Sequence, residues 1–173
     1  MTGNQPAATT QVFRVYIKAS PEQVWEAITK PEWTDRYGYG GLTDYDLTPG
    51  APYATRPSRA MVEGAAAQGM PVPDVIIDGE VVEADPPRRL VLTWRMLMDP
   101  GLKAEGFTRL SYDLVEKDGS TRLTVTHELT GAPQLAELVS GRLDDEAMGG
   151  GGGWSWVLSD LKSLLETGKT LAQ

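Results

Sequence analysis

Gly149-Gly-Gly-Gly-Gly-Trp154-Ser-Trp-Val-Leu-Ser-Asp-Leu-Lys-Ser-Leu-Leu-Glu-Thr-Gly168-Lys-Thr-Leu171 is the stretch whose reading decides the fold. From Trp154 the apolar residues continue at Val157, Leu158, Leu161, Leu164 and Leu165, a single stripe at helical spacing, while Ser155, Ser159, Lys162 and Glu166 take the other side. The spacing predicts one long amphipathic helix from about 153 to 168, with Gly168 as its C-cap and the glycine run as a linker or hinge into it. Everything upstream offers that stripe one kind of partner, strands with period-two alternation. The fold therefore turns on how one helix sits on one sheet.

Upstream, Phe13, Val15 and Ile17 alternate with Arg14, Tyr16 and Lys18, which reads as a half-buried first strand. Ser20-Pro-Glu-Gln23 opens a short helix: Ser20 is the N-cap, Pro21 fits the first helical position and Gln23 completes a capping box. Its inward face is Val24, Trp25 and Ile28. Pro31 ends it, and a second short helix is expected over 32–37 before Gly38-Tyr-Gly-Gly41. Two weaker strands are expected within 42–56, around Thr48-Pro-Gly50. Residues 57–74, rich in alanine and bounded by Pro57 and Pro73, read as a helical insertion acting as a flap. Strands at 75–83, 89–98, 106–116 and 121–130, with a turn at 85–87, a loop at 99–101 and a turn at 117–119, predict an antiparallel meander. A short helix at 133–140 and the acidic Asp144-Asp-Glu146 then lead to the glycines.

With 173 residues and 40% hydrophobic composition, the chain suits a single domain over 10–171 behind a frayed lead-in at 1–9. A formal charge of −8 without a basic patch argues against nucleic acid and anionic membranes as partners. The absence of cysteine excludes disulfides and thiolate chemistry, and one histidine without cysteine implies no metal site. No cofactor motif is present; the glycine run lacks the Lys-Ser/Thr of a phosphate-binding loop. The first ten residues have no basic or apolar leader and no stretch reaches transmembrane length, so a cytoplasmic location is expected. Monomer and homodimer both remain open.

The order strand, two short helices, six or seven antiparallel strands and a long C-terminal helix resembles the α+β helix-grip fold of the START-like (SRPBCC) superfamily. Ala19-Ser-Pro-Glu-Gln-Val-Trp-Glu-Ala-Ile28 is similar to its first helix and Gly79-Glu-Val-Val-Glu-Ala-Asp-Pro-Pro-Arg-Arg-Leu-Val-Leu-Thr-Trp94 to its central hairpin. Gly153 and Trp154 with Leu161, Leu164, Glu166 and Gly168 are similar to its last helix. Together these resemble the branch of homologues of the activator of heat-shock-protein-90 ATPase. The resemblance implies a curved sheet around the long helix, with a ligand cavity or a filled core between them.

Alternation then names the lining. Leu90, Leu92, Trp94, Met96 and Met98 share the inner face of their strand, and His127 shares one with Leu123, Val125 and Leu129. Trp154 and Leu158 complete the set from the helix. Glu80, Arg95 and Asp113 read as the solvated face, whereas Arg109, on a face with Phe107, Ser111 and Val115, is a candidate to orient a carboxylate or phenolate. The resemblance implies a non-catalytic binder of a hydrophobic small molecule, such as a polyketide or an enediyne. Some similar proteins protect their host by sacrifice: a bound diradical takes a hydrogen from the protein. Gly79, Gly101 and Gly106 are the candidate donors, because both neighbouring amides stabilise a glycine Cα radical. Two alternatives are a polyketide aromatase or cyclase using His127 and Arg109, and an activator of a chaperone ATPase.

Overall fold

A computed structural model describes residues 8–143 and 150–172. Residues 1–7 of the expected lead-in, the acidic residues 144–146 and Gly149 lie outside the described residues. The elements in chain order are β1 (Thr10–Ile17), α1 (Pro21–Thr29), α2 (Pro31–Thr34), β2 (Gly41–Thr43), β3 (Pro52–Pro57), α3 (Arg59–Ala67), β4 (Ile77–Asp85) and β5 (Arg89–Met96). They continue with α4 (Pro100–Ala104), β6 (Thr108–Lys117), β7 (Ser120–Glu128), α5 (Pro133–Val139) and α6 (Gly153–Thr167).

The seven strands form one curled antiparallel sheet in the order β1-β7-β6-β5-β4-β3-β2, and α6 packs inside the curl: a helix-grip fold. The meander from β4 to β7 follows from short turns between alternating strands, and a bulge between Val81 and Glu83 adds local twist. At α1 the capping box forms, the Ser20 hydroxyl accepting from Gln23 N–H (3.2 Å) and the Gln23 side chain accepting from Ser20 N–H (2.9 Å). None of the described helices is long and apolar enough to cross a membrane.

Three departures from the alternation reading bear on the site. α2 stops at Thr34, short of 37. β5 stops at Met96, so Met98 leaves the sheet and is 47% exposed instead of lining the inner face. Residues 99–101 begin a helix rather than a loop, because the Asp99 carboxylate caps the N–H groups of Gly101 (2.7 Å) and Leu102 (3.2 Å) with Pro100 in the first turn.

Trp154, Leu158, Leu161 and Leu164 of α6 are buried, with Val157 and Leu165 packed beside them. Asp160 is also buried (3% exposed), which polarity alone would not place there. A buried carboxylate is tolerated when its oxygens are hydrogen-bonded. Here one oxygen accepts from Gly38 N–H (2.8 Å) and the other from Leu171 N–H (2.7 Å), tying the loop after α2 and the chain end to the helix. On the opposite flank Lys162 Nζ donates to the Tyr16 carbonyl (2.5 Å) and Glu166 accepts from Lys18 N–H (2.7 Å). These contacts satisfy backbone groups at the end of edge strand β1. The glycine junction is not slack where it is described: Gly153 has φ of 59°, and a Cβ there would sit 2.3 Å from the Val139 carbonyl oxygen. The first turn of α6 thus needs glycine to approach the end of α5.

Leu161 is 1% exposed at the centre of this packing. Leu161→Ala is expected to destabilise the protein by roughly 2–5 kcal/mol in urea melts, transfer and cavity terms together; a loss under about 0.5 kcal/mol would remove the α6 stripe from the core.

Candidate ligand-binding site

Where the start of α6 meets the strands, the concave face carries a polar cluster. His127 on β7 is fully buried, and the Trp154 indole N–H donates to its Nδ1 (3.2 Å). With Nδ1 accepting, the neutral ring carries its proton on Nε2, which lies 2.8 Å from the Thr108 hydroxyl oxygen. Thr108 in turn donates to the Trp94 carbonyl (3.0 Å). One directed chain therefore runs from helix to sheet, and each member is satisfied. Burial pushes the His127 pKa down to about 3. A ring so weakly basic, with both nitrogens engaged, is poorly suited to general-base work near neutrality. Trp94 and Trp154 flank it edge-on, with centroids 5.3 and 6.1 Å from the imidazole.

Beside this chain lies a group that alternation alone did not single out: Tyr37, Tyr45, Tyr53 and Tyr112. Tyr53 and Tyr112 sit at inward positions of β3 and β6, while Tyr37 and Tyr45 come from loops and have no periodicity to reveal them. Tyr45 packs on Tyr53 (5.1 Å between centroids) and Tyr112 on Trp154 (6.1 Å, edge-on). The Tyr53 hydroxyl reaches across Gly79 to the Thr93 carbonyl (2.6 Å), and Tyr37 donates to the Ala27 carbonyl (3.0 Å). Gly79 is required for that crossing, since a Cβ there would lie 2.0 Å from the Thr93 oxygen and 2.9 Å from the Tyr53 ring. Burial pushes all four phenols well above their ordinary range, so they remain protonated donors.

Of the residues singled out from sequence, the structure brings Trp94, His127 and Trp154 together. Leu158 is buried one turn further along α6 and Met96 is half-buried opposite Ile77. Arg109 is elsewhere: it lies exposed on the convex face in an ion pair with Glu128 (3.3 Å), because inward positions on β6 are the even-numbered ones, from Thr108 to Leu114. Arg95 and Arg89 share that face, paired with Asp78 (2.6 Å) and Asp113 (2.6 Å), and Arg95 also stacks on Phe107 (4.3 Å). Of the three glycines, Gly79 alone borders the aromatic group. Gly101 sits in α4 beside Asp99 and Gln134, and Gly106 lies in the loop before β6 with φ of 82° and open space around it. The rings pack between α6 and the sheet. A separate groove of about 330 Å³ lies outside, between α1, α2 and the end of α6, lined by Trp33, Arg36, Leu164 and Leu165.

The family model described as "Activator of Hsp90 ATPase homolog 1-like protein" matches residues 18–166. No curated protein matches the chain at a significant level. Among solved structures, the Bordetella parapertussis protein encoded by gene BPP1335 is similar at 23% identity and a TM-score of 0.64, over 97% of this chain and 80% of that one. DynU16, a protein of the dynemicin biosynthetic locus, is similar at 20% identity and 0.61, over 94% of this chain and 49% of its own, so this chain spans about half its length. The Aha1 dimer from Colwellia psychrerythraea is similar at 19% identity and 0.59, over 92% and 98%. At these identities the likeness is one of fold.

The buried neutral imidazole makes stability depend on pH. Its folded pKa of about 3 lies below the ordinary value of 6.5, so the unfolded chain binds the proton first as pH falls. That contribution is complete above pH 6.5 and declines toward 3, at up to about 1.4 kcal/mol per pH unit. Urea melts between pH 7 and 4.5 should show a shallower decline in His127→Gln than in the parent; equal slopes would mean that the ring is not held neutral.

Proposed function

Because the chain belongs to the activator of Hsp90 ATPase homolog 1-like family, a helix-grip family suited to small-molecule ligands, we propose that it binds a hydrophobic small molecule on the concave aromatic face without turning it over. The observation that carries this reading is the aromatic lining itself. Trp94, Trp154, Tyr45, Tyr53 and Tyr112 meet there, where large flat side chains match a polycyclic guest. Absence of turnover is supported by the engaged state of His127 and by Arg109 lying on the other side of the sheet. Of the two residues that a cyclase would use, His127 is thereby engaged and Arg109 is turned to the convex face.

Access is assigned to α3. This nine-residue helix has no buried residue, and Val62 on it is 45% exposed. A helix is normally held by the face it buries, so α3 can shift with little loss of packing. It rises from the end of β3 near Gly41 and Gly40, at the same end of the sheet as the start of α6. The finer reading is self-protection against an antibiotic of the enediyne class, supported by the likeness in fold to DynU16. Sequestration needs only the aromatic face, whereas sacrifice would fall on Gly79, the glycine beside Tyr53. The outer groove favours a second reading, docking on a chaperone ATPase, because it is open and lined by Trp33, Leu164 and Leu165.

Equilibrium dialysis against aromatic polyketides and an enediyne tests the proposal. Binding should weaken roughly tenfold or more in Trp94→Ala, as loss of a large aromatic contact implies. Replacing residues 58–70 by a short glycine-serine linker should leave the urea midpoint nearly unchanged while speeding association. After exposure to the activated enediyne, stoichiometric cleavage at Gly79 supports sacrifice and an intact, drug-bound chain supports sequestration. No binding, together with stimulation of an Hsp90-type ATPase that is lost in Trp33→Ala, would transfer the function to the groove.

A further inference from the structure

The rings on the concave face differ in what their polar atoms do. Tyr37 and Tyr53 donate to the carbonyls of Ala27 and Thr93, the Trp154 indole donates to His127, and the second nitrogen of His127 faces Thr108. The Tyr112 hydroxyl, by contrast, makes no hydrogen bond to any other described residue. Its ring is half-buried, edge-on to Trp154, and burial keeps the phenol protonated. A donor at the border of an apolar face can be matched by an acceptor that arrives with an apolar guest, because the guest shuts out the water that would otherwise satisfy it.

Charge narrows the guest further. None of Tyr37, Tyr45, Tyr53, Trp94, Tyr112, His127 and Trp154 is cationic, and burial holds His127 neutral. The arginines of β5 and β6 are paired with Asp78, Asp113 and Glu128 on the convex face. The one buried carboxylate on α6, Asp160, is held by two backbone N–H groups. An anionic guest would therefore enter a low-dielectric site with no counter-charge, at a large desolvation penalty.

We propose that the ligand is an uncharged polycycle bearing a carbonyl or quinone oxygen, and that the Tyr112 hydroxyl is the specificity-determining donor to that oxygen. This rests on the concave face being the binding site. Three probes of one ring system separate the two ideas: 9-fluorenone, fluorene, and 9-fluorenone-2-carboxylate, measured by equilibrium dialysis at pH 7. The parent protein should bind fluorenone roughly tenfold more tightly than fluorene, the difference one hydrogen bond makes. The carboxylate should bind at least as weakly as fluorene. In Tyr112→Phe, which keeps the ring packed against Trp154, the preference for fluorenone should vanish while fluorene affinity stays within about twofold. Binding in which Tyr112→Phe leaves the preference intact, or in which the carboxylate binds as tightly as fluorenone, overturns the role of Tyr112 and the neutral guest while leaving the site standing. Failure of all three probes to bind overturns the site as well.

Discussion

The hydrogen-bonded chain from Trp154 through His127 and Thr108 to the Trp94 carbonyl is the constraint on which the rest of the structure leans. Three of its members are strand residues on β5, β6 and β7, and the fourth begins α6. A buried polar network is tolerated only when complete, so the first turn of α6 has to meet the sheet at this depth. That requirement explains Gly153, whose missing Cβ lets the helix start against Val139. It also places Leu158 and Leu161 over the strand interior and turns Asp160 toward Gly38. Apolar burial supplies most of the stabilisation here, and the polar chain sets the register in which that burial happens.

Sheet parity then sorts chemistry by face. On β6 the sequence Thr108, Leu110, Tyr112, Leu114 is inward and Arg109, Asp113, Val115 outward, so every guanidinium on β5 and β6 is paired with a carboxylate on the convex side. What remains inside is phenol, indole and a neutral imidazole. With a net charge of −8, the chain keeps its charge at the surface apart from Asp160 on α6, and the aromatic face between the sheet and that helix is uncharged.

The elements that alternation and capping specify were legible from sequence: the α6 stripe, the Ser20 capping box, and the meander from β4 to β7. What was missed or misread has separate physical causes. Asp160 escaped because polarity assigns it to solvent, and only the tertiary N–H groups of Gly38 and Leu171 make its burial tolerable. Met98 escaped because alternation does not say where pairing ends, and the cap at Asp99 ends it at Met96. Arg109 was ambiguous because its outward neighbours Phe107 and Val115 are apolar yet exposed, at 53% and 42%. Hydrophobic residues do occur outside, and with Phe107 lying under Arg95 the outer face carried a hydrophobic signal. Tyr37 and Tyr45 lie in loops, where no period marks which way a side chain turns.

The four tyrosines nevertheless differ in a way that bears on how a packed interior can admit a guest. Close-packed interiors resist insertion, so some part of the wall has to yield. Tyr53 is fixed by its bond over Gly79 to Thr93, and His127 and Trp154 are fixed by the polar chain that ends on the Trp94 backbone, so that side is rigid. Tyr45 rides on the loop before β3, and α3, which follows β3, buries nothing. An aromatic guest that displaces Tyr45 from Tyr53 replaces one ring contact by another and loses little, whereas an aliphatic guest recovers only area. If the concave face is the binding site, the division into a strand-borne rigid wall and a loop-borne yielding wall would favour flat aromatic ligands before any hydrogen bond is made, leaving Tyr112, on the rigid side, to choose among them.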